Sequence, residues 1–170
     1  MSTDRIVKQV VLRAPLERVW RAISEAEEFG RWFGVRFDGS FVAGKSVTAT
    51  ITPTTVDDDV AKLQEPHAGN QSTWQIGAVE PPTRLAYRWH PCAGEPDDDE
   101  EPTTLVEFTL TETPDGVLLT VVESGFDALP EPRRSDAFEA NSGGWAHQVR
   151  LVQKYLAQVG HPAAAEDQTV

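Results

Sequence analysis

Between residues 35 and 123 of this 170-residue chain the apolar side chains recur at every second position in a series of separate runs, and on either side of that stretch they recur with a helical period. Alternation makes one face of a strand apolar, whereas a period near 3.6 makes one stripe of a helix apolar. The chain must therefore combine a sheet with flanking helices. Val35, Phe37 and then Phe41 alternate with polar residues, and so do Val47, Ala49 and Ile51 after a Gly44-Lys45 turn. Trp74, Ile76 and Ala78 follow, then Leu85, Tyr87 and Trp89, then Val106, Phe108 and Leu110, and finally the run 117–123. Pro81-Pro82 closes one strand, and Pro114-Asp115-Gly116 is a hairpin turn in which proline presets φ and glycine accepts a positive one. Residues 5–13, rich in β-branched side chains, add a strand at the front. Short turns between successive strands imply an antiparallel sheet of seven strands.

Ala14-Pro15 ends the first strand and opens a helix, on which Leu16, Val19, Trp20 and Ile23 form one face. A second short helix is expected over about residues 25–32, ended by Gly34 beside the cluster Phe29, Trp32 and Phe33. After Pro130 and Pro132 a long helix is expected over 133–159. Phe138, Asn141, Trp145, Val149, Val152, Leu156 and Val159 form its stripe, and Gly160 and Pro162 end it. Ser142-Gly143-Gly144 contradicts that helix locally, because each interior glycine costs about 1 kcal/mol relative to alanine. Close packing against a neighbouring element would explain the pair, and so would a kink. The reading is an α+β chain with one domain over residues 5–160 and a disordered tail over 161–170.

Two stretches break the rhythm, 54–70 and 92–103, both rich in acid, proline and glycine. They read as solvated loops, with a short helical turn at 60–64 in the first. Neither acidic run has the spaced ligands of a calcium loop. The net charge of −12, from 27 acidic and 15 basic residues, disfavours nucleic acid and anionic membranes as partners. Cys92 is the single cysteine, so no bridge forms within the chain, and a cytoplasmic, monomeric or weakly dimeric protein is expected. No run reaches the ~20 apolar residues of a membrane span, and the first residues do not read as a signal peptide.

Strand, two short helices, six strands and a long helix is the order of the helix-grip fold of the START-like (SRPBCC) superfamily. The run from Ala14 to Trp20 (APLERVW) resembles the opening signature of one branch, and Arg31-Trp32-Phe33-Gly34 is similar to the motif closing its second helix. The run from Glu80 to Trp89 (EPPTRLAYRW), Glu123-Ser124-Gly125-Phe126 and the run from Asn141 to Trp145 complete the likeness. The branch is that of the activator of the heat-shock-protein-90 ATPase. The resemblance implies a seven-stranded curved antiparallel sheet around the C-terminal helix, with two short helices after the first strand. It also admits a chaperone as partner, although the additional N-terminal chaperone-binding domain of the namesake is not seen ahead of residue 5. One superfold hosts many activities, so function must be argued from the site.

A curved sheet closing on one helix leaves a concave space, which suits a small apolar or aromatic molecule such as a lipid, a polyketide or a flavonoid-like metabolite. The candidate ligand contacts are Trp20, Phe37, Trp74, Tyr87, Trp89, Phe108, Glu123, Phe126, Asn141, Trp145 and Val149. The ordinary alternative for each aromatic is core packing. Glu123 shares the strand parity of Val117, Leu119 and Val121. If that face is inward, burial would raise its pKa and make it an acid or base. Otherwise it is a strand-end carboxylate in solvent or paired with arginine. Asn141, on the apolar stripe, could orient a ligand carbonyl or make an ordinary helix-surface hydrogen bond. Arg88 and His90 have the opposite parity to Tyr87 and Trp89, and His147 lies about 200° round the helix from Trp145. Cys92 lacks an activating neighbour, the four histidines have no zinc spacing, and no phosphate loop follows a strand. No catalytic group, metal or cofactor is therefore assigned. A cyclase- or hydrolase-like enzyme using Glu123 stands as an alternative, as does stimulation of the chaperone ATPase.

Overall fold

The computed structural model describes residues 4–91 and 102–159. Cys92, His161, the acidic run 97–101 and the tail lie outside the described residues. Strand β1 (Arg5–Leu12) leads through Pro15 into helix α1 (Leu16–Ser24), and α2 (Ala26–Phe33) follows at once. Gly34 ends α2 in the left-handed region, at φ 100°, and returns its N–H to the Gly30 carbonyl at 2.9 Å. Glycine takes that conformation at no steric cost, which is why the chain can turn directly into β2 (Val35–Phe37). Next come β3 (Ser46–Ile51), α3 (Asp58–Gln64), β4 (Gln71–Glu80), β5 (Arg84–Trp89), β6 (Thr104–Thr113), β7 (Gly116–Ser124) and α4 (Arg133–Val159).

The seven strands form one antiparallel sheet in the order β1-β7-β6-β5-β4-β3-β2. Neighbours in sequence are neighbours in the sheet except at β1, which pairs with β7 through Val10 opposite Leu119. Helices α1 and α2 thus carry the chain from one sheet edge to the other. A register shift between Ile76 and Ala78 bends β4, and such a bulge increases local twist. Burial along β7 alternates strictly, with Val117, Leu119, Val121 and Glu123 buried. The inward parity considered for Glu123 is the one adopted.

The concave space is largely filled. Phe29 of α2 stands at its centre, with its ring within 6.5 Å of those of Trp32, Phe33, Phe37, Phe41, Trp74, Tyr87 and Phe108. Each fully buried side chain of this size stabilises the fold by about 1.5–3 kcal/mol, so the aromatics act first as core. A polar clamp ties the helices together at their outer ends. Glu28 of α2 forms an ion pair with Arg18 at 2.8 Å, and accepts from Arg21 Nε at 3.1 Å and from the Tyr155 hydroxyl of α4 at 2.8 Å.

Two expectations are corrected. The stretch 54–70 holds the helical turn expected at 60–64, which begins earlier as α3, so the acidic run before it is not solvated loop. Asp57 caps α3, accepting from the backbone N–H of Asp59 at 2.9 Å and of Val60 at 3.0 Å, and its other oxygen meets Lys154 of α4 at 3.2 Å. Aspartate at an N-cap satisfies backbone donors that the first turn cannot, which turns an acidic run into a helix start. The second correction concerns Gly143 and Gly144. α4 is helical throughout 133–159, and a Cβ built at either glycine meets nothing within 4 Å. Close packing does not explain the pair.

Candidate functional site

A cavity of about 420 Å³ opens where the first half of α4 passes α3 and the ends of β2, β3 and β5. Phe33, Trp89 and Trp145 make its aromatic wall. Their rings lie 5.8–6.1 Å apart, with the two indoles inclined at 35° and Phe33 set edgewise to both. Val35, Ile51 and Leu63 add aliphatic surface, and Ala137, Ala140 and Gly144 form the floor contributed by α4. The small residues of α4 keep this space open. Leu63 is 60% exposed at the rim, an apolar side chain left without cover. The volume falls in the roughly 300–1,000 Å³ range of small-molecule sites, and the mixture of aromatic wall and few polar groups is typical of them.

The polar groups beside the aromatic wall are amides, and His67, Arg133 and Asp136 also belong to the lining. Gln64 is fully used by the fold, donating to the Phe33 carbonyl at 2.9 Å and accepting from the Thr54 N–H at 2.8 Å. Gln148 donates to the same carbonyl at 3.0 Å, while its Oε1 is buried without a partner among the described residues. Asn141, 9% exposed, donates through Nδ2 to both oxygens of Glu123, at 3.0 and 3.2 Å. Orienting a ligand carbonyl would require the Nδ2 that Glu123 occupies.

Glu123 is fully buried and lies behind the cavity wall. Its Oε2 accepts from Thr104 Oγ1 at 2.5 Å and Trp89 Nε1 at 2.8 Å, and its Oε1 accepts from Trp145 Nε1 at 2.8 Å. Burial pushes its pKa above the usual glutamate range, and the hydrogen bonds from Thr104, Trp89, Trp145 and Asn141 pull part of that back. No cation pairs with it among the described residues. A buried carboxylate so placed fixes the tilt of both indoles and the direction of the Asn141 amide. Tyr87, stacked on Trp74 at 4.5 Å, is buried with no partner for its hydroxyl among the described residues. Burial, and then the Glu123 charge, push its pKa well up.

Of the eleven candidate contacts, Trp89, Asn141 and Trp145 line this cavity. Glu123 stands directly behind them. Trp74, Tyr87 and Phe108 fill the sheet face deeper in, Phe126 packs edgewise on Phe138 at 5.4 Å, and Val149 is a core residue of α4. Trp20 is half-buried against the core. Phe37 borders a separate depression of about 560 Å³, whose walls include Glu27, Arg31, Arg36 and Asp38. His147 belongs to a third, charged depression with Asp59, Arg150 and Lys154. Thr104, Gln148 and Gly144 join the site without being among the eleven candidates. Thr104 shares the parity of Val106 and Phe108, and Gln148 lies two turns after Asn141, so both carried a periodic signal.

A curved antiparallel sheet closed by a long C-terminal helix, with a cavity between them at one end, defines a helix-grip protein of the START-like class. Within it the chain belongs to the family described as activator of Hsp90 ATPase homolog 1-like protein, whose family model matches residues 13–157. The solved structure of protein MLL2253 from Mesorhizobium loti is similar at 23% identity and a TM-score of 0.67, over 91% of this chain and 98% of that one. Protein BH1534 from Bacillus halodurans is 25% identical over 89% of this chain and 96% of its own, with a TM-score of 0.59. DynU16, a protein of the dynemicin biosynthetic locus, is 24% identical with a TM-score of 0.67, and the match covers 92% of this chain and 48% of that one. No curated protein matches the chain. Among the described residues no helix is long and apolar enough to cross a membrane, and no cluster of metal-ligating side chains occurs.

Proposed function

We propose that the protein binds a small aromatic or apolar molecule in the cavity walled by Phe33, Trp89 and Trp145. The observation that carries this reading is the state of α4 beside that wall. Two successive interior glycines weaken a helix by roughly 2 kcal/mol in total, and no neighbouring group requires their missing side chains. Gly144 borders the cavity. Space kept open at the expense of helix stability, next to two tilted indoles, is what a ligand site needs. Glu123 serves the site by holding the indoles and Asn141. It is sealed behind them, so a direct proton transfer to the ligand gains no support from its position.

The test is a heat-stabilisation screen with flat aromatic and lipid-like compounds, run on the native chain and on Gly144→Leu. Leucine is a good helix former, and at this position it projects into the cavity. Compounds that raise the melting temperature of the native chain and leave the variant unmoved support the reading. A screen in which nothing stabilises the native chain contradicts it.

The family description supports a second reading, stimulation of the heat-shock-protein-90 ATPase. An ATPase assay of the purified chaperone with and without this chain decides it, a rise in turnover being the supporting result.

A further inference from the structure

The indole and amide donors around the cavity are turned away from it. Both indole N–H groups beside it end on Glu123, the Asn141 amide hydrogens end on Glu123, and the Gln148 amide ends on the Phe33 carbonyl. A carboxylate and a carbonyl only accept, so these contacts fix which way each amide faces. Asn141 therefore keeps Oδ1, an acceptor with no donor among the described residues, as the amide atom available to a ligand. Gln148, at i+7 on the same helix face, likewise has an unmatched Oε1. Every group that touches Glu123 donates, which is the arrangement an ionised carboxylate requires, and those groups are all neutral. A negative charge without a paired cation repels a second anion brought beside it in a low-dielectric setting. Among the other polar lining residues, Arg133 and Asp136 carry opposite charges that offset one another, and His67 is the remaining one.

We infer that the occupant is an uncharged aromatic molecule bearing a hydroxyl or amino donor, which it places on Asn141 Oδ1, and that carboxylate-bearing ligands are refused. Asn141 is then the residue that sets specificity, with Glu123 positioning it. This inference rests on the aromatic pocket proposed above. A methyl ether in place of the hydroxyl keeps the ring and loses the donor, which isolates the hydrogen bond from the stacking.

The experiment is titration calorimetry of the full chain with a naphthol, its methyl ether and the corresponding naphthoate at neutral pH. The naphthol should bind at least about fivefold more tightly than the ether, the usual worth of one neutral hydrogen bond, and the naphthoate more weakly than either. In Asn141→Leu the preference for naphthol over ether should fall to about one while the ether still binds. Equal binding of naphthol and ether by the native chain, or tightest binding of the naphthoate, overturns the inference and leaves the aromatic pocket standing. Failure of all three to bind overturns the pocket and the inference together. The native chain alone separates these outcomes, so they do not depend on the variant folding.

Discussion

Nδ2 of Asn141, on α4, sits 3.0 Å from one oxygen of Glu123 and 3.2 Å from the other, and so joins the long helix to the last strand through a buried charge. The same carboxylate holds Trp89 on β5 and Trp145 on α4. One side chain thereby sets the geometry of three cavity walls at once.

Removing it should therefore be costly. Glu123→Ala leaves four donors without an acceptor, those of Thr104, Asn141 and Trp145 buried and that of Trp89 partly so, at roughly 1–3 kcal/mol for each buried one left unpaired. A loss of at least about 3 kcal/mol is expected by urea denaturation even after the site relaxes. Glu107→Ala is the control, since its 2.7 Å pair with Arg84 is about one-third exposed and should cost no more than about 1 kcal/mol. Equal losses for the two variants would contradict the role given to Glu123.

The pH dependence follows from the sign of each shift. Glu123 binds a proton more readily in the folded chain than in the unfolded one. Its contribution to stability is thus fully present below the usual value of 4.5 and is lost as pH rises through the raised folded value. Glu28 behaves oppositely. Burial alone would raise it, but the hydrogen bonds from Tyr155 and Arg18 and the charges of Arg18 and Arg21 bring it below 4.5. Its contribution is present above 4.5 and is lost as pH falls through the lowered folded value. Denaturation midpoints measured across the acid range should show Glu123→Gln removing the decline above 4.5, and Glu28→Gln removing the decline below it.

Gly143 and Gly144 separate stability from function. Both face open space, so alanine at either should stabilise α4 by about 1 kcal/mol. Only Gly144 borders the cavity. Gly143→Ala should raise the melting temperature and leave ligand affinity unchanged, whereas Gly144→Ala should raise the melting temperature and weaken binding. Equal affinities for the two variants would remove the functional reading of Gly144.

Tyr87→Phe deletes a buried hydroxyl that has no partner among the described residues. An unmatched buried polar group destabilises, so the substitution should be neutral or stabilising by up to about 1–2 kcal/mol. A clear loss of stability in urea would show that the hydroxyl is engaged.

Most of the fold was legible because it rests on periodicity. Alternation from Val35 onward and the stripe through Trp145 and Leu156 each specify a face, and Pro114-Asp115-Gly116 and Gly34 specify turns whose φ values few other residues accept. The start of α3 was less legible. Three successive aspartates read as solvated charge, and only the geometry shows the first of them capping a helix. At the site, parity put Glu123 on the face of Val117, Leu119 and Val121 and Asn141 on the apolar stripe of the long helix, with the inward direction of the strand face left open. It could not show that they face each other, because a pairing across 18 residues depends on how α4 crosses the sheet. Nor could it separate Trp89 and Trp145, at the cavity edge, from Trp74 and Phe108, sealed in the core. Trp74, Trp89 and Phe108 share one strand alternation and Trp145 lies on the apolar stripe of α4, so periodicity gives each an inward face without saying which of them borders open space.

The central claim, an aromatic ligand held against Trp89 and Trp145, is tested most directly by titrating a naphthol into isotope-labelled protein and following the five indole N–H resonances by NMR. Saturable shifts are expected at Trp89 and Trp145, whose rings form the wall, with Trp20, Trp32 and Trp74 scarcely moving. Shifts confined to the other tryptophans, or no saturable shift at any of them, would contradict it.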